Sequence, residues 1–146
     1  MHVERNGSFT LPSPPERTLE WFTPEGERLW VPGWKPETLH TPGADLDVEG
    51  AVFRTAATGE ETLWIVLRLD RAAGIAEYAR ITPGNRLGTV HVRSTPGAEG
   101  GTEVDVTYRL TALSEAGEAV LGALTEAAYA EMLADWRTKV AALAAA

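Results

Sequence analysis

The chain has 146 residues, of which 44% are hydrophobic and 23% are charged, proportions typical of a soluble globular domain. We therefore expect residues 1–146 to form a single domain. No apolar run approaches the roughly 20 residues that cross a bilayer, which predicts that the chain has no membrane span. The sequence contains no cysteine, which excludes disulfides, thiolate nucleophiles and cysteine-based metal sites.

The charge balance is acidic, with 13 lysines and arginines against 21 aspartates and glutamates and a formal net charge of −8. Such a chain is repelled by phosphate backbones unless its basic residues cluster on one face. The arginines between positions 68 and 109 are scattered among acids, so we expect no binding of nucleic acid. Residues 1–12 lack a basic segment followed by an apolar stretch, so we expect a cytoplasmic protein without a signal peptide.

The first third of the chain predicts a strand followed by two short helices. Apolar and polar side chains alternate over residues 2–11, which indicates a half-buried strand. The first helix should end before Pro24, and the second should be closed by Pro32 and Gly33. Residues 35–47 contain two prolines and are predicted to be a loop.

Five strand-like segments follow without intervening helices, separated by turns rich in glycine and proline. This pattern predicts an antiparallel meander. The segments span residues 48–57, 61–70, 74–82, 86–95 and 102–113.

The last of these strands has the clearest alternation and predicts which face of the sheet is covered. Its apolar side chains should face a covering helix, whereas its polar side chains should face water. The apolar set is Val104, Val106, Tyr108 and Leu110, and the polar set includes Glu103, Asp105 and Arg109.

The C-terminal segment is predicted to be the covering element, one helix about 43 Å long that begins at Ser114 and ends near Leu143. Ser114 is a suitable N-cap because acidic residues follow it in the first turn. Apolar residues recur at steps of four and form one stripe. The stripe is Val120, Leu124, Ala128, Met132, Trp136, Val140 and Leu143.

Several motifs resemble the SRPBCC superfamily, the START-related group that includes polyketide cyclases and lipid-transport-like proteins. They are FTPEGERLWVPGW at 22–34, YARITPG at 78–84, VTY at 106–108 and LTALSEAG at 110–117. The resemblance implies an α+β helix-grip fold, in which an antiparallel sheet of six or seven strands curves around the C-terminal helix. It also implies an internal cavity for lipids, sterols, polyketides or other apolar molecules. It transfers no catalytic residue to any position of this chain.

Eight residues are candidates for the cavity wall, each with ordinary core packing as the alternative. Aromatic residues concentrate in the first helical pair, and others project from the last strand and the C-terminal helix towards the space between them. Two more lie on the strand over 74–82. The candidates are Trp30, Trp34, Tyr78, Arg80, Tyr108, Tyr129, Met132 and Trp136.

Arg80 and Tyr78 share one side of the strand over 74–82. Ile75, Ala79 and Ile81 share the other side of this strand, and this side is more apolar than the side that carries Arg80. Periodicity therefore predicts that Arg80 lies on the outer face, unless the cavity wall combines polar and apolar side chains. The same reasoning places His91 in solvent.

The predicted function is binding of a small apolar ligand, such as a lipid, a sterol or a polyketide-like molecule, in a cavity between the sheet and the C-terminal helix. The sequence contains no metal-ligand spacing, nucleophile motif or phosphate loop, so we assign no catalytic residue, metal or cofactor.

Two alternatives remain open. One is an enzyme of the cyclase or dehydratase type, which a deep cavity with contacting buried polar groups would favour. The other is a surface-interaction protein with a vestigial cavity, which a collapsed core and an exposed apolar patch would favour. A homodimer is also left open.

Overall fold

The computed structural model describes residues 1–145, except for the side chain of residue 58. Seven strands form one curved antiparallel sheet in the order β1-β7-β6-β5-β4-β3-β2. The strands are β1 (His2–Leu11), β2 (Glu37–His40), β3 (Val52–Thr55), β4 (Thr62–Asp70), β5 (Ile75–Thr82), β6 (Arg86–Pro96) and β7 (Thr102–Ala112). The α-helices are α1 (Pro15–Glu20), α2 (Glu115–Ala123) and α3 (Glu126–Ala144), and short 3-10 helices span Gly26–Leu29, Ala57–Gly59 and Ala98–Gly100.

This architecture confirms the predicted α+β helix-grip fold, with a seven-stranded sheet and a C-terminal helix. The two short helices after β1 are α1 and the 3-10 helix Gly26–Leu29, as expected. Within residues 1–145, no helix is long and apolar enough to cross a membrane.

The faces of β7 are those that its alternation predicted. Val104 and Val106 are fully buried and Leu110 is buried, whereas Glu103 and Arg109 are exposed. A strand in which every second side chain is apolar buries those side chains against the helices and leaves the others in water. The inner, concave face of the sheet is therefore the one that can hold a site.

The predicted loop over 35–47 contains a strand, which corrects the sequence analysis. Strand β2 forms one of the two edges of the sheet and pairs with β3, with a register shift between Thr38 and His40. All four of its residues are exposed. An edge strand without a buried side has no alternation of polar and apolar residues to reveal it.

The single C-terminal helix predicted from Ser114 to Leu143 is also wrong, because the helix breaks between α2 and α3. Leu124 has φ −86° and ψ 62°, and the Thr125 side chain accepts a hydrogen bond from the Ala128 N–H at 3.1 Å. A threonine N-cap satisfies a backbone donor that a new helix leaves unpaired. Helix α3 has 19 residues and is about 28 Å long.

The break leaves one residue of the predicted apolar stripe exposed. Val120 is 38% exposed, and its neighbour Leu121 is buried instead. Most of the later stripe residues lie in the core or pack against it, namely Leu124, Met132, Trp136, Val140 and Leu143. Tyr129 and Leu133, which the stripe did not include, are buried in α3 as well.

Candidate functional site

The concave face of the sheet carries a wall of aromatic rings. Phe53 of β3 and Trp64 of β4 stack in parallel, with ring centroids 5.9 Å apart and planes 3° apart. Trp34 meets both rings edge-on, at 5.9 Å and 5.5 Å. Nearer α3, Trp136 packs edge-on against Trp30 at 5.5 Å. Such edge and stacked arrangements are the favoured geometries of aromatic pairs.

The indole N–H groups of Trp34 and Trp64 both donate hydrogen bonds to other residues of the chain. Trp34 donates its indole N–H to the Pro24 carbonyl oxygen at 2.9 Å, and Trp64 donates to the Thr55 hydroxyl at 3.0 Å. A ring fixed both by packing and by a hydrogen bond has little freedom to turn. The wall is therefore preorganised by the chain rather than by a ligand.

The tyrosine hydroxyls of the interior differ in their partners. Tyr78 donates to the Phe22 carbonyl oxygen and Tyr129 to the Val106 carbonyl oxygen, both at 2.6 Å. The hydroxyl of Tyr108 forms no hydrogen bond with the part of the chain that the structure describes. Burial raises the pKa of Tyr108 to about 12, although the nearby positive charge of Arg80 lowers it in part. At neutral pH Tyr108 is therefore a neutral phenol with a free donor.

A small cavity of about 20 Å³ lies between the concave face of the sheet and the C-terminal helices. It is bounded by aromatic rings, among them those of Trp34, Tyr78, Tyr108 and Trp136, and by the carboxyl group of Glu27. This volume holds about one water molecule. The elongated cavity that the family resemblance implies is thus largely filled by aromatic side chains.

Glu27 is the acidic group of this cavity. It is supplied by the 3-10 helix Gly26–Leu29. Withdrawal from water raises the pKa of Glu27 well above its usual value, and the negative charge of Asp47 raises it further. Burial, followed by the nearby charge of Glu27, likewise raises the pKa of Tyr78. A raised pKa favours the protonated carboxyl group, which both donates and accepts hydrogen bonds.

A second cavity, here called the mouth pocket, has a volume of about 260 Å³ and lies beside the break between α2 and α3. Its lining residues are Arg80, Arg86, Tyr108, Leu110, Val120, Ala123 and Leu124. Tyr108 lines both this pocket and the central cavity. The Tyr108 side chain therefore lies between the mouth pocket and the central cavity.

Arg80 lies on the concave face, which corrects the prediction that periodicity favoured. Its guanidinium lies 4.9 Å from the centre of the Trp64 ring, and its Nη2 donates to the Thr82 hydroxyl at 3.2 Å. The sequence misled because the outer face of β5 is also apolar, with Ile75 and Ala79 half-buried and Ile81 37% exposed. Comparison of the two sides of one strand cannot identify the inner side when both sides are apolar.

Further concave surfaces lie outside the space between the sheet and the C-terminal helices. A groove of about 500 Å³ between β1 and α3 is lined partly by Arg5, Glu126 and Arg137. On the convex side of the sheet, an apolar depression of about 310 Å³ is lined mainly by aliphatic side chains. We call it the convex-face patch, and its principal residues are Val52, Leu63, Ile65, Ile81 and Leu87.

The structure brings together five of the eight candidate residues. Trp34, Tyr78 and Trp136 line the central cavity, Arg80 lines the mouth pocket, and Tyr108 lines both.

The other three candidates lie elsewhere. Trp30 and Met132 line neither cavity and pack in or against the core, and Trp30 donates its N–H to the Trp21 carbonyl oxygen at 2.7 Å. Tyr129 is buried and borders the groove between β1 and α3.

Sequence reasoning missed Glu27, Phe53 and Trp64. Phe53 and Trp64 occupy inner positions of predicted strands, so alternation could have indicated them. Glu27 follows Glu25 in an acidic helical turn, a pattern typical of a solvated helix terminus. No sequence signal distinguished it from a surface acid.

Comparison with known proteins identifies the architecture. No family model and no curated protein matches the sequence. Among solved structures, norcoclaurine synthase from Thalictrum flavum is similar with a TM-score of 0.70 and 12% identity, over 99% of this chain and 87% of that one. Ara h 8.0201 is similar with a TM-score of 0.62 and 16% identity, over 79% and 80% of the two chains. A protein from Nitrosospira multiformis is similar with a TM-score of 0.67 and 16% identity, over 93% and 94%. The chain therefore shares its fold with these proteins, and this fold is the helix-grip arrangement that the sequence predicted.

Proposed function

We propose that this protein binds a small, mainly apolar molecule in the concave interior, between the sheet and the C-terminal helices. The observation that carries the proposal is that the mouth pocket and the central cavity adjoin at Tyr108. Their walls are mostly aromatic and aliphatic, with a few polar groups. Small-molecule sites in proteins usually have this composition.

The volume of the mouth pocket limits the size of the ligand. Sites for drug-sized molecules measure roughly 300–1,000 Å³, and the mouth pocket, at about 260 Å³, lies just below that range. Of the lipid, sterol and polyketide-like ligands expected from the sequence, a short-chain lipid or a single-ring aromatic molecule fits this space better than a sterol. A larger molecule would require the Tyr108 and Trp136 rings to move.

The structural neighbours support a small aromatic ligand. One structure of norcoclaurine synthase from Thalictrum flavum, 12% identical to this chain, contains dopamine and hydroxybenzaldehyde. The same fold can therefore hold molecules with one aromatic ring.

The proposal is tested by titration of the purified protein with fatty acids, sterols and single-ring aromatics. Tryptophan emission and NMR amide shifts report the binding. Burial of apolar ligand surface contributes roughly 25 cal/mol per Å², less the cost of association, so we expect dissociation constants in the micromolar range. The variant Tyr108→Leu should retain uptake but lose selectivity for oxygenated ligands.

The matched control is Leu87→Ala, because Leu87 is 42% exposed on the convex side of the sheet. This variant should bind the panel as the parent does. The proposal fails if no panel member binds the parent and mass spectrometry of the native protein finds no co-purified small molecule.

A proton-transfer enzyme is a second candidate, and Glu27 is the observation that favours it. Glu27 and Tyr108 line the same cavity, and burial raises the pKa of Glu27, as is common for carboxyl groups that act as general acids or bases. If it acts on carbonyl compounds, the parent in D₂O should accelerate deuterium exchange beside the carbonyl, as seen by NMR. Glu27→Gln should abolish the acceleration while ligand binding persists.

A surface-interaction protein is the third candidate, favoured by the small central cavity and the convex-face patch. Its partner would be a second copy of the chain, which retains the homodimer as a proposal. Light scattering should then give twice the mass of one chain, and Leu87→Lys should return the monomer. We also propose a cytoplasmic location. We further propose that the protein does not bind nucleic acid, because a net charge of −8 repels phosphate backbones.

A further inference from the structure

The side of the mouth pocket that carries Arg80 has more positive than negative charge. Two guanidinium groups, those of Arg80 and Arg86, lie near one carboxylate, that of Glu60. Arg86 occupies both oxygens of this carboxylate, because its Nη1 donates to Oε2 at 3.0 Å and its Nη2 to Oε1 at 2.6 Å. The same hydrogen bonds hold the pKa of Glu60 below its usual value. The surplus charge therefore resides on Arg80.

Arg80 is incompletely satisfied by the protein. Its hydrogen bond goes to the Thr82 hydroxyl, and its buried Nε has no hydrogen-bond partner. It forms no ion pair with any residue that the structure describes. The face of Trp64 offsets part of the cost of shielding this cation from water. A ring face cannot accept the in-plane N–H groups of a guanidinium, which are arranged to bind two oxygens at once.

The rest of the mouth pocket provides a second donor and an apolar side. The Tyr108 hydroxyl, the unpaired phenol described above, borders the same space as Arg80. Leu110, Val120 and Leu124 supply aliphatic surface to the pocket. The pocket thus combines a cation and a hydroxyl donor with a hydrophobic wall, which is complementary to a molecule with one anionic end.

We infer that the ligand of the mouth pocket is a small amphipathic carboxylic acid, whose carboxylate is bound by Arg80 and Tyr108 and whose apolar part packs on the aliphatic wall. This inference rests on the proposed function and adds the charge of the ligand to it. The net charge of −8 disfavours anions at the surface. A specific preference for an anion therefore requires a local cation of this kind.

The test compares acids with alcohols of the same skeleton. Octanoate and 3-phenylpropionate are titrated beside 1-octanol and 3-phenyl-1-propanol at pH 7.5, and dissociation constants are taken from NMR amide shifts. A charge-assisted hydrogen bond makes the parent prefer each acid to its alcohol by about ten- to a hundredfold. Arg80→Met should remove this preference, because the acid and the alcohol then meet the same uncharged side chain.

Two variants keep the test decisive. Arg93→Met makes the same chemical change at an exposed position of β6 and should leave the preference intact. If Arg80→Met does not fold, Arg80→Lys decides the result, because it keeps the charge but loses the paired donors and should reduce the preference.

The outcomes separate the two proposals. If the parent binds alcohols and acids equally, or if neither Arg80 variant changes the preference, the inference is overturned while the proposed function stands. If the parent binds neither class, the inference is overturned, and the full ligand panel with mass spectrometry of the native protein decides the proposed function.

Discussion

The guanidinium of Arg5, on β1, donates a hydrogen bond from its Nε to the backbone carbonyl oxygen of Leu124, at 2.9 Å. Leu124 follows the last residue of α2, where helix carbonyls lose their intrahelical partners. The first strand of the sheet thus satisfies a backbone acceptor at the point where the C-terminal segment changes direction. The break between the two helices is a built feature of the fold, supported from one side by Arg5 and from the other by the Thr125 cap.

The first prediction concerns Thr125, the N-cap at the break between α2 and α3. Thr125→Ala removes the acceptor for the Ala128 N–H and should lower the free energy of unfolding by about 1 kcal/mol. Urea denaturation measures the change. Thr138→Ala is the control, because Thr138 lies inside α3 and its hydroxyl bonds only the Ala134 carbonyl, four residues back. Equal losses in the two variants would show that the cap does not stabilise the break.

The second prediction concerns Trp136 of α3 and its contacts with other aromatic rings. The Trp136 ring lies within 6.3 Å of the rings of Phe22, Trp30 and Tyr108, measured between centroids. Aromatic-to-alanine changes in cores cost about 3–5 kcal/mol, and the half-buried Trp136 belongs at the lower end. Trp136→Ala should therefore melt well below the parent in calorimetry.

Glu103→Ala is the control for Trp136, since Glu103 is exposed on the other face of the sheet. It should change the free energy of unfolding by less than about 0.5 kcal/mol. Similar melting temperatures for the two variants would contradict the assignment of the faces.

The third prediction is that replacing glycine by alanine changes the free energy of unfolding in opposite directions at two positions. A Cβ at Gly88 would lie 1.8 Å from the Arg109 carbonyl oxygen, which belongs to the backbone of β7 and cannot move without disturbing the strand pairing. Gly88→Ala should cost about 3 kcal/mol or more. A Cβ at Gly122 would meet no atom within 4 Å, and Gly122 lies within α2. Gly122→Ala should raise the free energy of unfolding by about 0.5–1 kcal/mol. Chemical denaturation of both variants tests the pair, and stabilisation by Gly88→Ala would refute the close strand contact.

The fourth prediction is the pH dependence that follows from Glu27. Its pKa is higher in the folded protein than the usual 4.5 of the unfolded chain, so the folded state binds the proton more tightly. Stability from this group is fully present below pH 4.5 and is lost as the pH rises through the raised value. Glu27→Gln does not titrate, so its stability relative to the parent should increase between pH 4.5 and pH 8.

Urea denaturation of both proteins at several pH values measures this difference. Glu103→Gln is the control, because its exposed side chain should give a difference from the parent that varies little with pH. A pH-independent difference for Glu27→Gln would mean that the folded protein does not hold the Glu27 proton more tightly than the unfolded chain does.

The fold was predictable wherever a strand had one wet face and one covered face. Strand β7 satisfies this condition, and its buried and exposed residues follow the alternation of its sequence. The C-terminal helix was predicted too long because steps of four continue through Leu124 without interruption. Helical periodicity records which residues are apolar, but it does not record that a capping threonine can begin a second helix.

Only part of the aromatic lining could be predicted from the sequence, and its charged groups could not. Trp34 was expected at a pocket mouth and Tyr108 and Trp136 between the last strand and the C-terminal helix, whereas Phe53 and Trp64 were missed. Arg80 was misplaced because both sides of β5 are apolar, and Glu27 was overlooked because an acidic helical turn normally lies in water. Both errors concern charged groups shielded by long-range packing, which local patterns do not encode.

The edge strand β2 has a consequence for the behaviour of the protein at high concentration. An exposed strand edge is a template on which another chain can add a strand, and long regular edges are therefore prone to aggregation and fibril growth. This edge has four residues and an irregularity between Thr38 and His40, and Pro36, which lacks an N–H, immediately precedes it. An incoming strand would find few evenly spaced donors and acceptors there. The irregular β2 edge thus opposes growth of the sheet on this side.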